Sequence, residues 1–172
     1  AYNTDAAGFI RPIKKRISDL SSARAAVLGT GGAARAAIYA LREEGAEVTL
    51  FGRNQAKAAE LSKEFATSFV NCDVSSDRLD FRDFDIVVNA TPIGSKNSKY
   101  SFNQHCHFRG VKIVYDLVYV PKLTAFLETG IRAGAEPIFG KEMLLEQAAL
   151  QFEIWHGRSA PFEVMQAAIE SL

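Results

Sequence analysis

The chain has 172 residues, of which 48% are hydrophobic and 23% are charged, and its 20 basic and 20 acidic side chains give a net charge of zero. This length fits one domain, and the composition excludes a disordered tail, a collagen-like repeat and a coiled-coil rod. A neutral chain also lacks the global positive field of proteins that bind nucleic acid or anionic membranes, so neither partner is predicted.

Strand-like and helical patterns alternate along the chain. Short apolar runs ended by glycine or a polar residue predict strands, and apolar residues spaced by three and four predict helices. The predicted elements in chain order are a helix over 5–20, a strand over 25–28, a helix over 33–44, a strand over 47–51, a helix over 54–65, strands over 69–72, 85–90 and 111–118, a helix over 123–133, a strand over 137–139, and helices over 142–155 and 162–172. This alternation predicts an α/β fold of the Rossmann type, with a doubly wound, mostly parallel sheet and helices on both faces.

Two segments stand apart from this alternation. The helix over 5–20 precedes the first strand, and a Rossmann-type core does not require it, so we expect its apolar stripe to pack on something else. The segment 94–109 begins with a run of polar residues, and we interpret it as a mobile surface loop. Its sequence His105-Cys106-His107 lacks a second ligand group at zinc-finger spacing, so no metal site is predicted.

The cellular setting follows from thiols and hydropathy. Cys72 and Cys106 are too few for a disulfide framework, which favours a reduced cytoplasmic setting. No apolar run reaches the roughly 18 residues that a membrane helix needs. The chain starts with polar residues and without Met, which indicates a processed, cut or recombinant start.

A glycine-rich motif links the first strand to the next helix. Residues 29–34 read Gly-Thr-Gly-Gly-Ala-Ala and fit G-x-G-x-x-G/A. Such glycines let the backbone approach a pyrophosphate, which the N-terminus of the following helix then attracts. We predict cofactor contacts at Gly29, Gly31, Gly32 and Ala33. The alternative is a tight turn in an α/β protein that binds no nucleotide.

The end of the second strand indicates which dinucleotide is bound. NAD sites usually carry an acid about 20 residues after the glycine motif, where it binds the ribose hydroxyls. This chain has Arg53 there, and an arginine forms charge-assisted bonds with a 2′-phosphate. Lys57 lies one helical turn further on and adds positive charge. We therefore predict NADP(H), the alternative being that Arg53 is a solvated loop arginine.

Five motifs in this order resemble the shikimate dehydrogenase family. They cover essentially the whole chain: NTDAAG at 3–8, GTGGAARA at 29–36, NATPIG at 89–94, DLVY-x-P-x-x-T at 116–124 and G-x-x-M-L-x-x-Q-A at 140–148. The resemblance implies an NADP-dependent reduction of 3-dehydroshikimate to shikimate, and the reverse, in aromatic amino-acid biosynthesis.

Enzymes of this family have two domains, and the N-terminal one supplies a serine pair and the lysine of a catalytic Lys/Asp pair. The chain begins at the NTD motif, so we expect that substrate domain to be absent. The resemblance divides the chain into a linking helix over 1–22, an NADP-binding Rossmann domain over 23–140, and helices over 141–172 that pack toward the missing domain.

The resemblance also implies roles for single residues on the substrate side. Asp5 matches the catalytic aspartate, which binds a substrate hydroxyl; from the residues alone it is a helix cap. Gln147 and Tyr119 match substrate-binding residues; from the residues alone they are a solvated glutamine and a packing tyrosine at a strand end.

On the cofactor side, Asn89, Ala90 and Thr91 follow a central strand, at the sheet edge where doubly wound folds bind ligands. The resemblance places them beside the cofactor and places Gly140 near the nicotinamide. The family's Asn-Arg-Thr motif on the adenine side reads Gly-Arg-Asn here, so Arg53 is kept and Asn54 takes the next position. We predict that Asn54 contacts the cofactor and that its side chain can also cap the helix over 54–65.

Together these observations predict a chain that binds NADP(H) but has little or no dehydrogenase activity by itself. Its small-molecule substrate would be 3-dehydroshikimate or shikimate, and its partner the N-terminal substrate domain of the same protein. Apolar helices exposed by that domain's absence would favour self-association. Three alternatives remain: a quinate/shikimate dehydrogenase, a non-enzymatic regulator that shares the fold, and one domain of a multifunctional polypeptide.

Overall fold

The computed structural model describes residues 4–103 and 105–171, in which helices pack on a central β-sheet. The elements in chain order are α1 (Thr4–Lys14), β1 (Arg24–Leu28), α2 (Gly32–Glu43), β2 (Glu47–Gly52), α3 (Gln55–Phe65), β3 (Ser68–Asn71), β4 (Ile86–Asn89), β5 (Ile113–Asp116), α4 (Ala125–Arg132), β6 (Glu136–Ile138), α5 (Gly140–His156) and α6 (Phe162–Glu170).

The six strands form one parallel sheet in the order β3-β2-β1-β4-β5-β6. The strand order reverses between β1 and β4, so the chain leaves these two neighbouring strands in opposite directions. That reversal opens a crevice at their carboxyl ends, which is where doubly wound sheets bind ligands. The predicted Rossmann-type fold is confirmed.

Two hydrophobic cores cover the two faces of the sheet, because successive side chains of a strand point to opposite faces. In β1, Ala25 and Val27 contribute to one core, and Ala26 and Leu28 to the other. The first core is closed by α1, α2, α3 and α5. The second core is rich in phenylalanine and is closed by α4 and by irregular segments of the chain.

The first helix contributes to the core of the sheet domain. Phe9 and Ile13 are fully buried, and the Phe9 ring stacks on Tyr115 of β5 with the centroids 5.1 Å apart. The helix ends at Lys14 rather than at residue 20, and turns carry the chain on, so that Leu20 reaches the core from outside the helix. The stripe over 5–20 therefore predicts the buried side chains correctly, whereas the predicted helix length is wrong. The expectation that the stripe packs on something other than the Rossmann core is also wrong, because Phe9, Ile13 and Leu20 belong to the core on one face of the sheet.

Ion pairs join α1 to α5. Arg11 and Lys15 both contact the Glu146 carboxylate, at 3.3 and 2.6 Å, and Glu146 is almost completely buried. Arg16, in the turn after α1, contacts Glu142 at 3.1 Å. These two helices therefore pack on each other within the described chain, and their predicted contact with a further domain stays a prediction.

The segment 94–109 differs from the sequence-based interpretation. Phe102 and Phe108 are buried in the second core, where both rings contact Phe126 of α4. The backbone of His107 accepts a hydrogen bond from Phe81 and donates one to Leu79. The interpretation as a surface loop is therefore wrong for the second half of this segment, and for the polar first half the interpretation as a mobile loop stays a prediction. Within the described residues, no helix combines the length and the hydropathy needed to cross a membrane.

Candidate functional site

A cleft of about 480 Å³ opens at the carboxyl edge of the sheet, beside the switch between β1 and β4. Its walls come from the glycine-rich loop, the ends of β2 and β3, and the segment after β4. The predicted residues that line it are Gly29, Gly31, Arg53, Ala90 and Thr91. The structure therefore brings the glycine loop, the arginine and the end of β4 together in one cavity.

The glycine-rich loop shows where a ligand fits. Gly29 has a φ of +115°, and a Cβ atom there would lie 2.9 Å from the Ala90 carbonyl oxygen, so only glycine suits this turn. At Gly31 and Gly32 a Cβ atom would meet no protein atom within 4 Å. Gly31 is also the N-cap of α2 and offers no side-chain acceptor to that helix. The open space and the helix N-terminus fit the pyrophosphate of a dinucleotide.

Arg53 extends from the end of β2 and is largely exposed. Its Nη1 atom lies 3.7 Å from Asp73 Oδ2, and its guanidinium carbon lies 5.9 Å from the centre of the Tyr100 ring. Asp73 and Tyr100 line the same cleft. Hydrogen bonds from Ser75, and then the nearby Arg53 charge, lower the pKa of Asp73 below its usual value. The arginine thus lies near both an ionised acid and an aromatic ring.

Asn54 and Lys57 lie outside the set of residues that line this cleft. The Asn54 side chain caps α3 by accepting a hydrogen bond of 3.0 Å from the Lys57 backbone N–H. Both residues are exposed, and they lie one and four positions after Arg53 in the sequence. The cap is confirmed, and the cofactor contacts predicted for these two residues stay predictions.

A second cleft, of about 500 Å³, adjoins the first along the carboxyl edge. Ala33 and Tyr119 line it, and Ala90 and Thr91 line both clefts. Tyr119 is about half exposed, so its ring is accessible from this cleft. The arrangement places the tyrosine across the end of β4 from the arginine, at opposite ends of one groove.

A buried hydrogen-bond network supports the floor of this groove. Asp116 Oδ1 accepts from Asn89 Nδ2 at 2.9 Å and from the Val118 backbone N–H at 2.9 Å, and Oδ2 accepts from Thr124 Oγ1 at 2.5 Å. Burial raises the pKa of Asp116 to about 6, although all three hydrogen bonds act in the opposite direction. The carboxyl thereby connects the ends of β4 and β5 with the start of α4.

The network also gives Asn89 a structural role. Its side chain is only 1% exposed, so it lies beneath the groove and lines neither cleft. Asn89 Oδ1 accepts hydrogen bonds from the backbone N–H and the hydroxyl of Thr91, at 3.1 and 2.6 Å. Asn89 therefore shapes the turn that presents Thr91, and a direct contact of Asn89 with the cofactor stays a prediction.

On the helix side of the molecule, Asp5 and Gln147 meet. Gln147 Nε2 donates a hydrogen bond of 2.7 Å to Asp5 Oδ1, across the contact between α1 and α5. A Cβ atom at Gly8 would lie 2.4 Å from Gln147 Cγ, so this glycine permits the close approach. The two predicted substrate residues are thus brought together, while Asn3 of the same motif lies outside the described residues.

Gly140 begins α5 next to the second cleft. A Cβ atom there would lie 2.6 Å from the Val118 carbonyl oxygen, so the close packing of the backbone is sufficient to require a glycine. Gln147 lies two helical turns further along α5, about 10 Å from this point. The helix therefore runs from the groove toward the Asp5–Gln147 pair, and the predicted contact of Gly140 with a nicotinamide stays a prediction.

Several residues of this region have contacts that the sequence did not predict: Gly8, Asp73, Tyr100, Asp116 and Thr124. Gly8, Asp116 and Thr124 belong to the motifs that carry the family resemblance, which was the available signal. Asp73 directly follows a predicted strand end, where ligand contacts collect. Tyr100 carries no local signal, because its contact with Arg53 depends on the path of the segment between them.

Comparisons with known proteins agree with this geometry. Residues 12–103 match the family model for shikimate / quinate 5-dehydrogenase, and residues 140–170 match the model for the shikimate 5′-dehydrogenase C-terminal domain. A shikimate dehydrogenase (NADP(+)) of Nitrosopumilus maritimus is 40% identical over 98% of the chain and 63% of its own length.

Two solved structures illustrate the range of relatives. The shikimate 5-dehydrogenase of Thermus thermophilus in complex with NADP(H) and shikimate is 33% identical over 99% of this chain and 63% of its own, with a TM-score of 0.82. The quinate dehydrogenase of Corynebacterium glutamicum in complex with NAD is 26% identical over 99% and 63%, with a TM-score of 0.83. The chain thus spans a little under two thirds of the length of these relatives.

Proposed function

Because the chain belongs to the shikimate/quinate 5-dehydrogenase family, we propose that it is the cofactor-binding portion of an NADP-dependent shikimate dehydrogenase. The observation that carries this proposal is Arg53 in the same cleft as the glycine loop. A guanidinium group at the end of β2 suits a 2′-phosphate, whereas an acid there would suit the ribose hydroxyls of NAD.

The described residues support a division of labour along the groove. The pyrophosphate would lie at Gly31, Gly32 and the N-terminus of α2, and the 2′-phosphate would bind Arg53. The nicotinamide would lie at the other end of the groove, between walls formed by Thr91 and Tyr119. When bound, NADP(H) supplies or accepts the hydride. The residues of the chain bind and orient the cofactor and keep the reacting end of the groove in shape.

The Asp5–Gln147 pair is our candidate for the substrate side. A carboxylate accepts hydrogen bonds from sugar-like hydroxyl groups, and the Gln147 amide donates a hydrogen bond of 2.7 Å to Asp5 Oδ1. The family's serine pair and catalytic lysine find no match in the chain. We therefore expect these 172 residues to bind NADP(H) and to turn over shikimate slowly or not at all.

Calorimetry on Arg53→Ala tests the cofactor assignment. Loss of a charge-assisted hydrogen bond of about 1.5–3 kcal/mol should raise the NADPH dissociation constant roughly ten- to a hundredfold and leave NADH binding nearly unchanged. Arg82→Ala is the matched control, because Arg82 pairs with Asp80 outside the cleft. An Arg53→Ala chain that binds NADPH like the unmodified chain would refute the assignment.

An activity assay tests the rest of the proposal. The chain is incubated with NADP and either shikimate or quinate, and NADPH formation is followed by absorbance. A turnover near the ordinary enzymatic value of about 10 per second would show that the chain is a complete catalyst. Faster turnover of quinate than of shikimate would favour the quinate alternative.

We also propose that the exposed apolar side chains near the C-terminal end of α5 and on α6 promote self-association of the isolated chain. Trp155 and Val164 are 76% and 69% exposed, and Ile154 is 41% exposed. Sedimentation velocity should show a concentration-dependent dimer that Trp155→Ser weakens. A chain that stays monomeric at high concentration would contradict this proposal.

A further inference from the structure

The cofactor cleft contains an acid that the assignment of Arg53 does not explain. Asp73 lines the same cleft and directs Oδ2 at the Arg53 guanidinium from 3.7 Å. An arginine that binds a phosphate does not need this partner, and a negative charge beside it works against the binding of a second anion.

The Asp73 carboxylate is held in this orientation. Its Oδ1 atom accepts hydrogen bonds from the Ser75 backbone N–H at 2.9 Å and from the Ser75 hydroxyl at 2.6 Å. These bonds fix one oxygen in the turn after β3 and leave Oδ2 facing the cleft. The same bonds lower the pKa of Asp73, so the group is ionised at neutral pH.

We propose that Asp73 is a specificity-determining residue that reduces the preference of this site for NADP(H) over NAD(H). The proposal rests on the proposed function, since it concerns the same cleft. A 2′-phosphate carries a charge of about −1.5 to −2, and on the nitrogen that faces Asp73 it would lie within about 7 Å of Oδ2. The phosphate and the carboxylate therefore repel each other and compete for one guanidinium group.

A cofactor without the 2′-phosphate meets a different environment. A ribose hydroxyl can donate a hydrogen bond to Asp73 Oδ2, and the Arg53–Asp73 pair stays intact because no anion displaces it. Asp73 thus acts oppositely on the two cofactors. Its role in the turn is separate, because that role uses only Oδ1.

Asp73→Asn separates the two roles, since the amide oxygen of Asn can still accept from Ser75 while the negative charge is lost. We would measure the binding of NADPH and NADH to the complete 172-residue chain by calorimetry. The NADPH dissociation constant should fall about three- to tenfold, and the NADH constant should stay the same or rise. Asp80→Asn is the matched control, because it removes the same charge from an ion pair outside the cleft.

Unchanged or weaker NADPH binding in Asp73→Asn would overturn the proposal, as would an equal gain for NADPH and NADH. If thermal melting shows that this variant does not fold, Asp73→Ser replaces it, because a serine hydroxyl accepts the same kind of local hydrogen bond. If Arg53→Ala weakens NADPH binding and Asp73→Asn changes nothing, only the role of Asp73 is refuted. If Arg53→Ala also has no effect, the proposed cofactor assignment is refuted as well.

Discussion

At the end of β2, Arg53 and its partners project from exposed loops, whereas at the ends of β4 and β5 the Asn89, Asp116 and Thr124 side chains form a buried network. Both regions face the same groove. Exposed ion pairs contribute little to folding and respond to salt and to a bound ligand. Buried hydrogen-bonded groups determine stability and geometry, because leaving any of them unpaired is costly. Substitutions in the two regions should therefore leave different experimental signatures.

The largest effect should come from Asp116→Ala, which removes the acceptor of the buried network. The Asn89 amide, the Thr124 hydroxyl and a backbone N–H would lose their partner, so the free energy of unfolding should fall by about 3 kcal/mol. Urea denaturation measures this loss. Asp80→Ala at the surface is the control and should unfold close to the unmodified chain; similar midpoints for the two variants would contradict the contrast between the regions.

The pH dependence of unfolding should report the same buried carboxyl. Its pKa is about 6 in the folded chain against an ordinary value of 3.8, so the folded state binds the proton more tightly than the unfolded state. The stabilisation from this group is complete below about pH 4 and is lost as the pH rises to about 6, by up to about 3 kcal/mol in total. The Asn side chain of Asp116→Asn cannot titrate. Between pH 4 and 7.5, the free energy of unfolding measured by denaturation should therefore fall less for this variant than for the unmodified chain. Parallel pH profiles would exclude this role of Asp116.

Much of this groove could be predicted from the sequence, but the buried hydrogen-bond network around Asp116 that supports it could not, for physical reasons. Strand ends and the glycine loop are local patterns, and Arg53 and Thr91 were found because parallel strands bring their carboxyl ends to one edge. The length of α1 was wrong because its apolar stripe continues beyond Lys14, into turns that still bury Leu20. The contacts of Tyr100 and Phe102 depend on how a long irregular segment crosses the sheet, which no local period encodes.

Two helix N-caps provide a finer comparison of the regions. Asn54 caps α3 at the surface, and Thr124 caps α4 in the buried network, where its hydroxyl also donates to Asp116. Asn54→Ala should cost about 1 kcal/mol, the usual value for a lost cap. Thr124→Ala should cost about 2–3 kcal/mol, because it also removes a hydrogen bond from a buried carboxyl. Equal losses in thermal or urea unfolding would show that burial adds nothing to the cap.

The smallest effect should be the dependence of cofactor binding on salt. The Arg53 side chain is exposed, so a 2′-phosphate bound to it would be exposed as well. Salt screens exposed charges over about 10 Å at 0.1 M and over a shorter distance as the salt concentration rises. Raising NaCl from 0.05 to 0.5 M should weaken NADPH binding about fivefold and NADH binding less than twofold, since both share the pyrophosphate contacts and only NADPH has the extra charge. In Arg53→Gln the two salt profiles should become parallel. If salt weakens NADPH and NADH binding equally in the unmodified chain, the 2′-phosphate does not bind Arg53. The part of the groove that responds to salt and to the cofactor would then lie away from the end of β2.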